Sequence, residues 1–393
     1  MTATLAAATE ALLGVYRRPP VEFVRGSGVE LFDSEGKSYV DFVAGIAVNA
    51  LGYGDAGLES AMRNALESSL IHVSNLYRSQ PGERLADRLV EKSFADRVFF
   101  CNSGAEANEA AFKLARRWGG AAGGAAKHEI VALRGGFHGR LFGTLAATDR
   151  PQYRAPFRPL AGGISICERD LDELSTVLSP ETVAAVIVEP IQGEGGVRVL
   201  DPAFMRGLRA LTRDRNVLLI FDEIQCGYGR TGQFWAYEQT GITPDVLTIA
   251  KPMAGGLPMG AVLATAAAAS AMQPGDHGTT FGGGPFVASV ALHVLDRLSD
   301  PAMLAHVRER GAEMQAALTA LQESSPKVRA VRGTGLMWGI DVAEPAKDIV
   351  ARAMDLGLLI CSAGEYTVRL VPPLVVNSAD IHRGISLLKA AIG

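Results

Sequence analysis

The stretch Val217-Leu218-Leu219-Ile220-Phe221-Asp222-Glu223 decides the fold. Its first five residues are all apolar, so a strand built from them has no face to offer to water. Strands of this kind sit in mainly parallel sheets whose two faces are covered by helices. Runs of the same character recur at 97–101, 130–133, 164–167, 183–188, 246–249 and 261–264. Helical patterns fill the gaps. Between 106 and 118, Ala107, Ala111, Leu114, Ala115 and Trp118 recur at the spacing of one helical stripe, and 202–215 reads as a further helix. The expectation is an α/β fold whose large domain holds a mainly parallel seven-stranded sheet covered by helices.

The flanks have a different rhythm. Near the start, apolar runs at 29–32 and 38–42 enclose the turn Asp33-Ser34-Glu35-Gly36, which predicts a hairpin. After 286, long helical patterns at 286–298 and 302–322 precede strand-like and helical segments without strict alternation, and a last helix begins near Ser378. That order suggests a smaller α+β domain. The expected division is an N-terminal segment, 1–55, joining the small domain, a large domain at 56–287, and the C-terminal small domain at 288–393. The Gly-rich stretch 119–126 reads as a surface loop. The sequence Gly333-Thr334-Gly335-Leu336-Met337-Trp338-Gly339 is one residue off a dinucleotide fingerprint and has no helical run behind it, so it reads as a strand.

Composition narrows the function. A chain of 393 residues with 48% hydrophobic and 20% charged residues is globular, and a net charge of −4 gives no broad basic surface for nucleic acid. Cys101, Cys167, Cys226 and Cys361 form no C-x-x-C pair, which points to free, mostly buried thiols in a reducing compartment and to no metal site. The N-terminus carries no positive charge before its apolar stretch, so no secretory signal is expected. The weakly polar run 259–272 is shorter than the roughly 18–20 residues of a membrane span. A cytoplasmic protein follows as the expectation.

Three segments could carry chemistry. In Phe100-Cys101-Asn102-Ser103-Gly104-Ala105-Glu106-Ala107-Asn108 a buried strand gives way to a helix, with Ser103 and Glu106 at capping-box spacing. The segment is either a plain cap or a phosphate site built on free N–H groups and the helix dipole. Asp222 ends a buried strand, where α/β sheets place their ligands. Its alternatives are a loop cap or a magnesium ligand, but no nucleotide-binding G-x-x-x-x-G-K-[ST] exists in the chain. Lys251 follows the apolar run 246–249 and precedes Pro252 and a Gly-rich turn. It is either a lysine reaching the surface or a desolvated amine able to form a Schiff base. Together the three meet the needs of pyridoxal 5′-phosphate: an anchored phosphate, a carboxylate for the ring nitrogen and a lysine for the aldehyde.

From about residue 20 to its end, the chain resembles the class III pyridoxal-phosphate aminotransferases. The motifs are NSGAEANEAA at 102–111, GGFHGR at 135–140, VEPIQGEGG at 188–196, FDEIQCGYGRTG at 221–232, IAKPMAGGLPMGA at 249–261, GTTFGGGP at 278–285 and RLVPPL at 369–374. The resemblance implies the type I fold of pyridoxal-phosphate-dependent transferases and a homodimer with shared active sites. It implies that Lys251 carries the cofactor and moves the proton, and that Asp222 pairs with the ring nitrogen. Ser103, Gly104 and Ala105 would serve the phosphate, Phe137 would stack on the ring, and His138 and Gln225 would lie beside it. Thr280 would reach the neighbouring subunit's phosphate. Arg140 would grip a substrate carboxylate, and Arg369 would hold the α-carboxylate of glutamate, with Glu194 as its partner in the other half-reaction.

Within the family, Gly45-Ile46-Ala47-Val48-Asn49-Ala50-Leu51-Gly52 and Ser74-Asn75-Leu76-Tyr77 resemble members that move the terminal amino group of N-acetylornithine to 2-oxoglutarate. That reaction gives N-acetylglutamate 5-semialdehyde and glutamate, a step of arginine biosynthesis. Ornithine-specific relatives carry a tyrosine where this chain has Ile46, which suits an acylated amine. Succinylornithine, ornithine, 4-aminobutyrate or carrier-linked lysine as donor are the alternatives, as is a non-catalytic relative on the same scaffold. At 52–57 this chain lacks the His-Pro pair usual in the family.

Overall fold

Seven strands hydrogen-bond into one sheet in the order Arg97–Cys101, Gly260–Ala264, Val246–Ile249, Leu218–Asp222, Val183–Val188, Glu129–Leu133 and Ile164–Cys167. They are the seven runs of the sequence. The computed structural model describes residues 11–393, and the reading of the extreme N-terminus falls in part on 1–10, outside the described residues. Gly260–Ala264 runs antiparallel to both of its neighbours, and the remaining pairings are parallel.

Every residue of Val183–Val188, Leu218–Asp222 and Val246–Ile249 is buried. Alternate side chains serve opposite faces. On one face Ala185, Ile187, Leu218 and Ile220 pack with Ala107, Ala111, Leu114 and Ala115 of the helix Gly104–Gly123. On the other, Val186, Val188, Leu219 and Phe221 pack with Met205 and Leu208 of the helix Pro202–Asp214. Continuous apolar runs were required because both faces are covered.

Segments from the early and late parts of the described residues meet. The strands Phe23–Ser27, Glu30–Asp33 and Ser38–Asp41 form an antiparallel meander, and Leu358–Leu359 joins it parallel to Ser38–Asp41. A further sheet holds Val328–Thr334, Met337–Val342, Thr367–Leu370 and Cys361–Ser362 in that order. The helix Pro301–Ser324 packs against Val328–Thr334, and the helix Ser378–Ile392 packs against that helix and against the meander. Where the family's His-Pro pair is missing, Tyr53 donates its hydroxyl to Asp41 at 2.6 Å and Asp55 caps the helix Ala56–Glu67.

Two expectations are corrected. The Gly-rich stretch 119–126 is helical as far as Gly123. A Cβ on Gly119 would lie 2.2 Å from the Lys127 carbonyl oxygen, so glycine is there to let two backbones approach, not to make a loop. The stretch 333–339 is not one strand but the turn of a hairpin. Thr334 pairs with Met337 across Gly335, whose φ of 54° is left-handed.

No helix among the described residues is long and apolar enough to cross a membrane, and no His, Cys, Asp and Glu side chains there group as a metal site. The chain turns at the carboxyl ends of the parallel strands gather the residues described next.

Candidate active site

Asp222, the last residue of Leu218–Asp222, is buried at the floor of a cavity of about 290 Å³. Eight of the thirteen sequence-designated residues line that cavity: Gly104, Ala105, Phe137, His138, Arg140, Asp222, Gln225 and Lys251. They arrive from four separate strand ends, so the sheet alone brings them together.

The helix start supplies one wall. Ser103 accepts from the Glu106 N–H at 3.2 Å, and the Glu106 carboxylate accepts from the Asn102 N–H at 2.6 Å. The cap is therefore real, and it satisfies the third N–H of the helix. Those of Gly104 and Ala105 have no acceptor among the described residues. They remain available to an anion, with the positive end of a long helix dipole behind them. Capping and anion binding are both served by one turn.

The floor is a buried polar network. Asp222 Oδ2 accepts from Asn108 Nδ2 and lies at the same 2.8 Å from His138 Nδ1, while Oδ1 accepts from the Ile224 N–H at 3.1 Å. Glu189 is the residue after Val183–Val188 and stands in the same wall. Its two carboxylate oxygens accept from the N–H groups of Phe137 at 2.8 Å and Gly193 at 3.0 Å. Burial pushes the Glu189 carboxyl up to about 7, with the nearby Asp222 charge adding to that and His138 opposing it.

Lys251 opens a short helical turn at 251–254, after Ala250 at φ −156° and ψ −94°. Burial depresses its ammonium pKa, and the nearby Arg369 guanidinium depresses it further. A lysine in these surroundings is a better nucleophile than a solvated one.

Arg369 is 1% exposed and sits beside the cavity without lining it. One of its terminal nitrogens donates to Glu194 at 2.5 Å and to Gln225 at 3.0 Å, and its Nε donates to the Cys361 sulfur at 3.3 Å. Burial raises the Glu194 pKa, but Arg369 outweighs it and holds the carboxyl below its ordinary value. Arg140 stacks its guanidinium 3.9 Å from the centre of the Tyr153 ring.

Ser103, Thr280 and Ile46 stand apart from the cavity. Ser103 is exposed as the cap, and Thr280 is exposed. Ile46 is 37% exposed in a left-handed kink with φ 64°. The sequence reading gave no role to Glu189 or Asn108. Glu189 carried the same signal as Asp222, an acid at the end of an all-apolar strand. Asn108 carried no signal beyond its place in a quoted motif.

The family model for class III aminotransferases matches residues 15–392. The chain belongs to this family. Among its relatives, the mitochondrial acetylornithine aminotransferase of Alnus glutinosa is 45% identical over 387 residues, which cover 97% of this chain and 86% of that one. The succinylornithine transaminase of Yersinia enterocolitica is 44% identical over 388 residues, covering 95% of this chain and 93% of the other. The ornithine aminotransferase of Toxoplasma gondii, whose structure has pyridoxal phosphate partly occupying its active site, superposes with a TM-score of 0.93. It is 28% identical, and the match covers 98% of this chain and 92% of that structure.

As a class III aminotransferase the chain is a transaminase that uses pyridoxal 5′-phosphate. The cavity fits that group on its own chemistry. It offers two uncommitted N–H groups for a phosphate, a buried carboxylate with spare acceptor capacity on Oδ1 for a ring nitrogen, and a lysine of lowered pKa for an aldehyde.

Proposed function

We propose that this protein transfers the terminal amino group of N-acetylornithine to 2-oxoglutarate, as part of arginine biosynthesis. The observation that carries the reading is the Arg369–Glu194 pair beside Lys251, taken with full-length similarity to acetylornithine aminotransferases. One site must accept an amine at the end of a chain and, in the second half-reaction, an amine beside a carboxylate.

Pyridoxal phosphate supplies, when bound, the aldehyde that takes the amino group and the ring that takes up the electron pair of the broken C–H bond. The protein does the rest. Gly104 and Ala105 hold the phosphate through their N–H groups, with Ser103 fixing the turn. Phe137 packs on the ring, with His138 and Gln225 beside it. Asp222 keeps the ring nitrogen protonated. Lys251 Nζ would hold the cofactor until substrate displaces it and would then carry the proton between the substrate carbon and the carbon of the cofactor's aldehyde.

Arg140 binds the carboxylate of the acylated donor, for which the guanidinium fork is suited. While that donor reacts, Glu194 occupies Arg369. When glutamate or 2-oxoglutarate enters, Glu194 releases Arg369 to its α-carboxylate. Ile46 presents an apolar wall to the acyl group. Substrate thus lies between the large domain at 56–287 and Arg369 of the small domain at 288–393.

Two copies of the chain complete the site. Leu70, Ile71, Leu76, Tyr77 and Phe281 are exposed apolar residues, and Asn75 ties the two segments together by donating to Thr279 and Gly282 carbonyls at 2.9 and 3.2 Å. Thr280 lies within that patch and reaches the partner's phosphate. All four cysteines are free, in keeping with work in the reducing cytoplasm.

The similarity to a succinylornithine transaminase supports a second reading, succinylornithine as donor. A panel of donors assayed with 2-oxoglutarate decides. N-acetylornithine should give the highest kcat/KM. A preference for succinylornithine favours the second reading, and a preference for free ornithine overturns both.

A further inference from the structure

Asn108 lies within the first turns of the helix Gly104–Gly123 and is fully buried. Asparagine is a poor helix former, and a buried amide must be satisfied. Its satisfaction here is specific. Nδ2 donates to the His138 carbonyl and to Asp222 Oδ2, both at 2.8 Å. A carbonyl and a carboxylate only accept, so the amide nitrogen must face them and Oδ1 must face the other way. There it meets Thr248, whose hydroxyl donates at 2.7 Å. A hydroxyl has one proton, and that proton is spent on Asn108.

Thr248 is fully buried and sits next to Asp222 in the register of two parallel strands. It lies in the strand Val246–Ile249, three residues before Lys251. Its hydrogen bond to Asn108 thus joins two elements of the cofactor site, the phosphate-facing helix and the strand that leads to the lysine. Its effect on Asp222 is directional. Oδ2 is occupied by Asn108 and faces His138, while Oδ1 has a single backbone N–H and keeps acceptor capacity.

We propose that Asn108 and Thr248 are positioning residues for cofactor binding: Thr248 anchors the far side of the Asn108 amide, and Asn108 holds Asp222 turned so that its other oxygen meets the ring nitrogen. The proposal rests on the reading of Asp222 as partner of that nitrogen. With Thr248→Val the side chain keeps its shape and loses its proton. Asn108 Oδ1 is then a buried acceptor without a donor, and the amide that holds Asp222 loses the anchor on its far side. With Thr248→Ser the hydroxyl is kept and only a methyl group is lost.

The test titrates the apoprotein with pyridoxal phosphate, following affinity and the visible absorption of the bound cofactor. Thr248→Val should weaken binding roughly tenfold, the scale of one charge-assisted hydrogen bond, and move the absorption band. Thr248→Ser should bind within about twofold of the unaltered protein and keep its band. Binding and spectrum unchanged in Thr248→Val overturn the proposal. So does a Thr248→Ser variant as weak as Thr248→Val, because packing and not the proton would then matter. Asp222→Asn serves as the reference. If it binds as tightly as the unaltered protein, the reading of Asp222 fails and takes the proposal with it. If it is impaired while Thr248→Val is not, the proposal alone fails. Should Thr248→Val lack the circular dichroism of a folded protein, Asn108→Ala is judged by the same affinity and band criteria.

Discussion

Glu194 Oε1 lies 2.5 Å from a terminal nitrogen of Arg369 and so occupies the group that a substrate α-carboxylate would need. The pair is unequal in its surroundings. The Arg369 side chain is 1% exposed and that of Glu194 is 26% exposed, so the carboxylate is the partner free to move. Arg369 stays held by Gln225 and Cys361 when it does.

Glu194→Gln should therefore favour glutamate over the acylated donor. The neutral amide binds Arg369 more weakly than the carboxylate does, so an incoming carboxylate displaces it more easily. In single-turnover measurements of the separate half-reactions, the glutamate step should gain about three- to tenfold in apparent affinity relative to the donor step. Equal effects on both steps would contradict the switch.

Arg140→Ala should act on capture of the acylated donor more than on chemistry. Loss of a guanidinium–carboxylate pair predicts a rise in KM of roughly ten- to a hundredfold with a smaller change in kcat. Tyr153→Ala, which removes the ring under Arg140, should produce the same pattern at a few-fold size.

How much of this was visible beforehand depends on whether a residue's role is local. The seven strands were legible because burial on both faces leaves an uninterrupted apolar run. Asp222 and Lys251 were legible for a related reason, since a charged residue stands out directly after such a run. Asn108 was not, because its partners Asp222 and Thr248 are 114 and 140 residues away and an amide carries no signature of its own. The helical glycines misled in the opposite direction. Gly119 is chosen for a backbone contact with Lys127 that local composition does not encode. Thr280 was named only through family resemblance, because it is exposed and does not line its own chain's cavity.

Thr280→Val tests the shared site. If the hydroxyl serves the neighbouring subunit, cofactor affinity should fall about tenfold while sedimentation still reports a dimer. A monomeric unaltered protein with full cofactor affinity would contradict it.

Glu223 gives a prediction about pH. It is fully buried and accepts from the N–H groups of Ala236 and Tyr237, both at 2.7 Å. Burial pushes its carboxyl up to about 8 against those bonds. Its folded pKa thus lies above its unfolded one, so between about pH 4.5 and 8 the folded state binds the extra proton. Its contribution to stability is full below that window and is lost as pH rises through it. Glu223→Gln cannot titrate. The drop in apoprotein Tm from pH 6 to pH 9 should shrink by on the order of 2–4 °C in this variant. An unchanged or larger drop would place the Glu223 pKa elsewhere.

The most direct measurement locates the lysine that carries the cofactor. The protein loaded with pyridoxal phosphate is reduced with borohydride, which makes the linkage permanent, then digested and sequenced by mass spectrometry. The phosphopyridoxyl mass should fall on Lys251 alone, and Lys251→Ala should lose both the label and at least about three orders of magnitude of turnover. A label on another lysine, or a Lys251→Ala variant that still turns over at near the normal rate, would contradict the account.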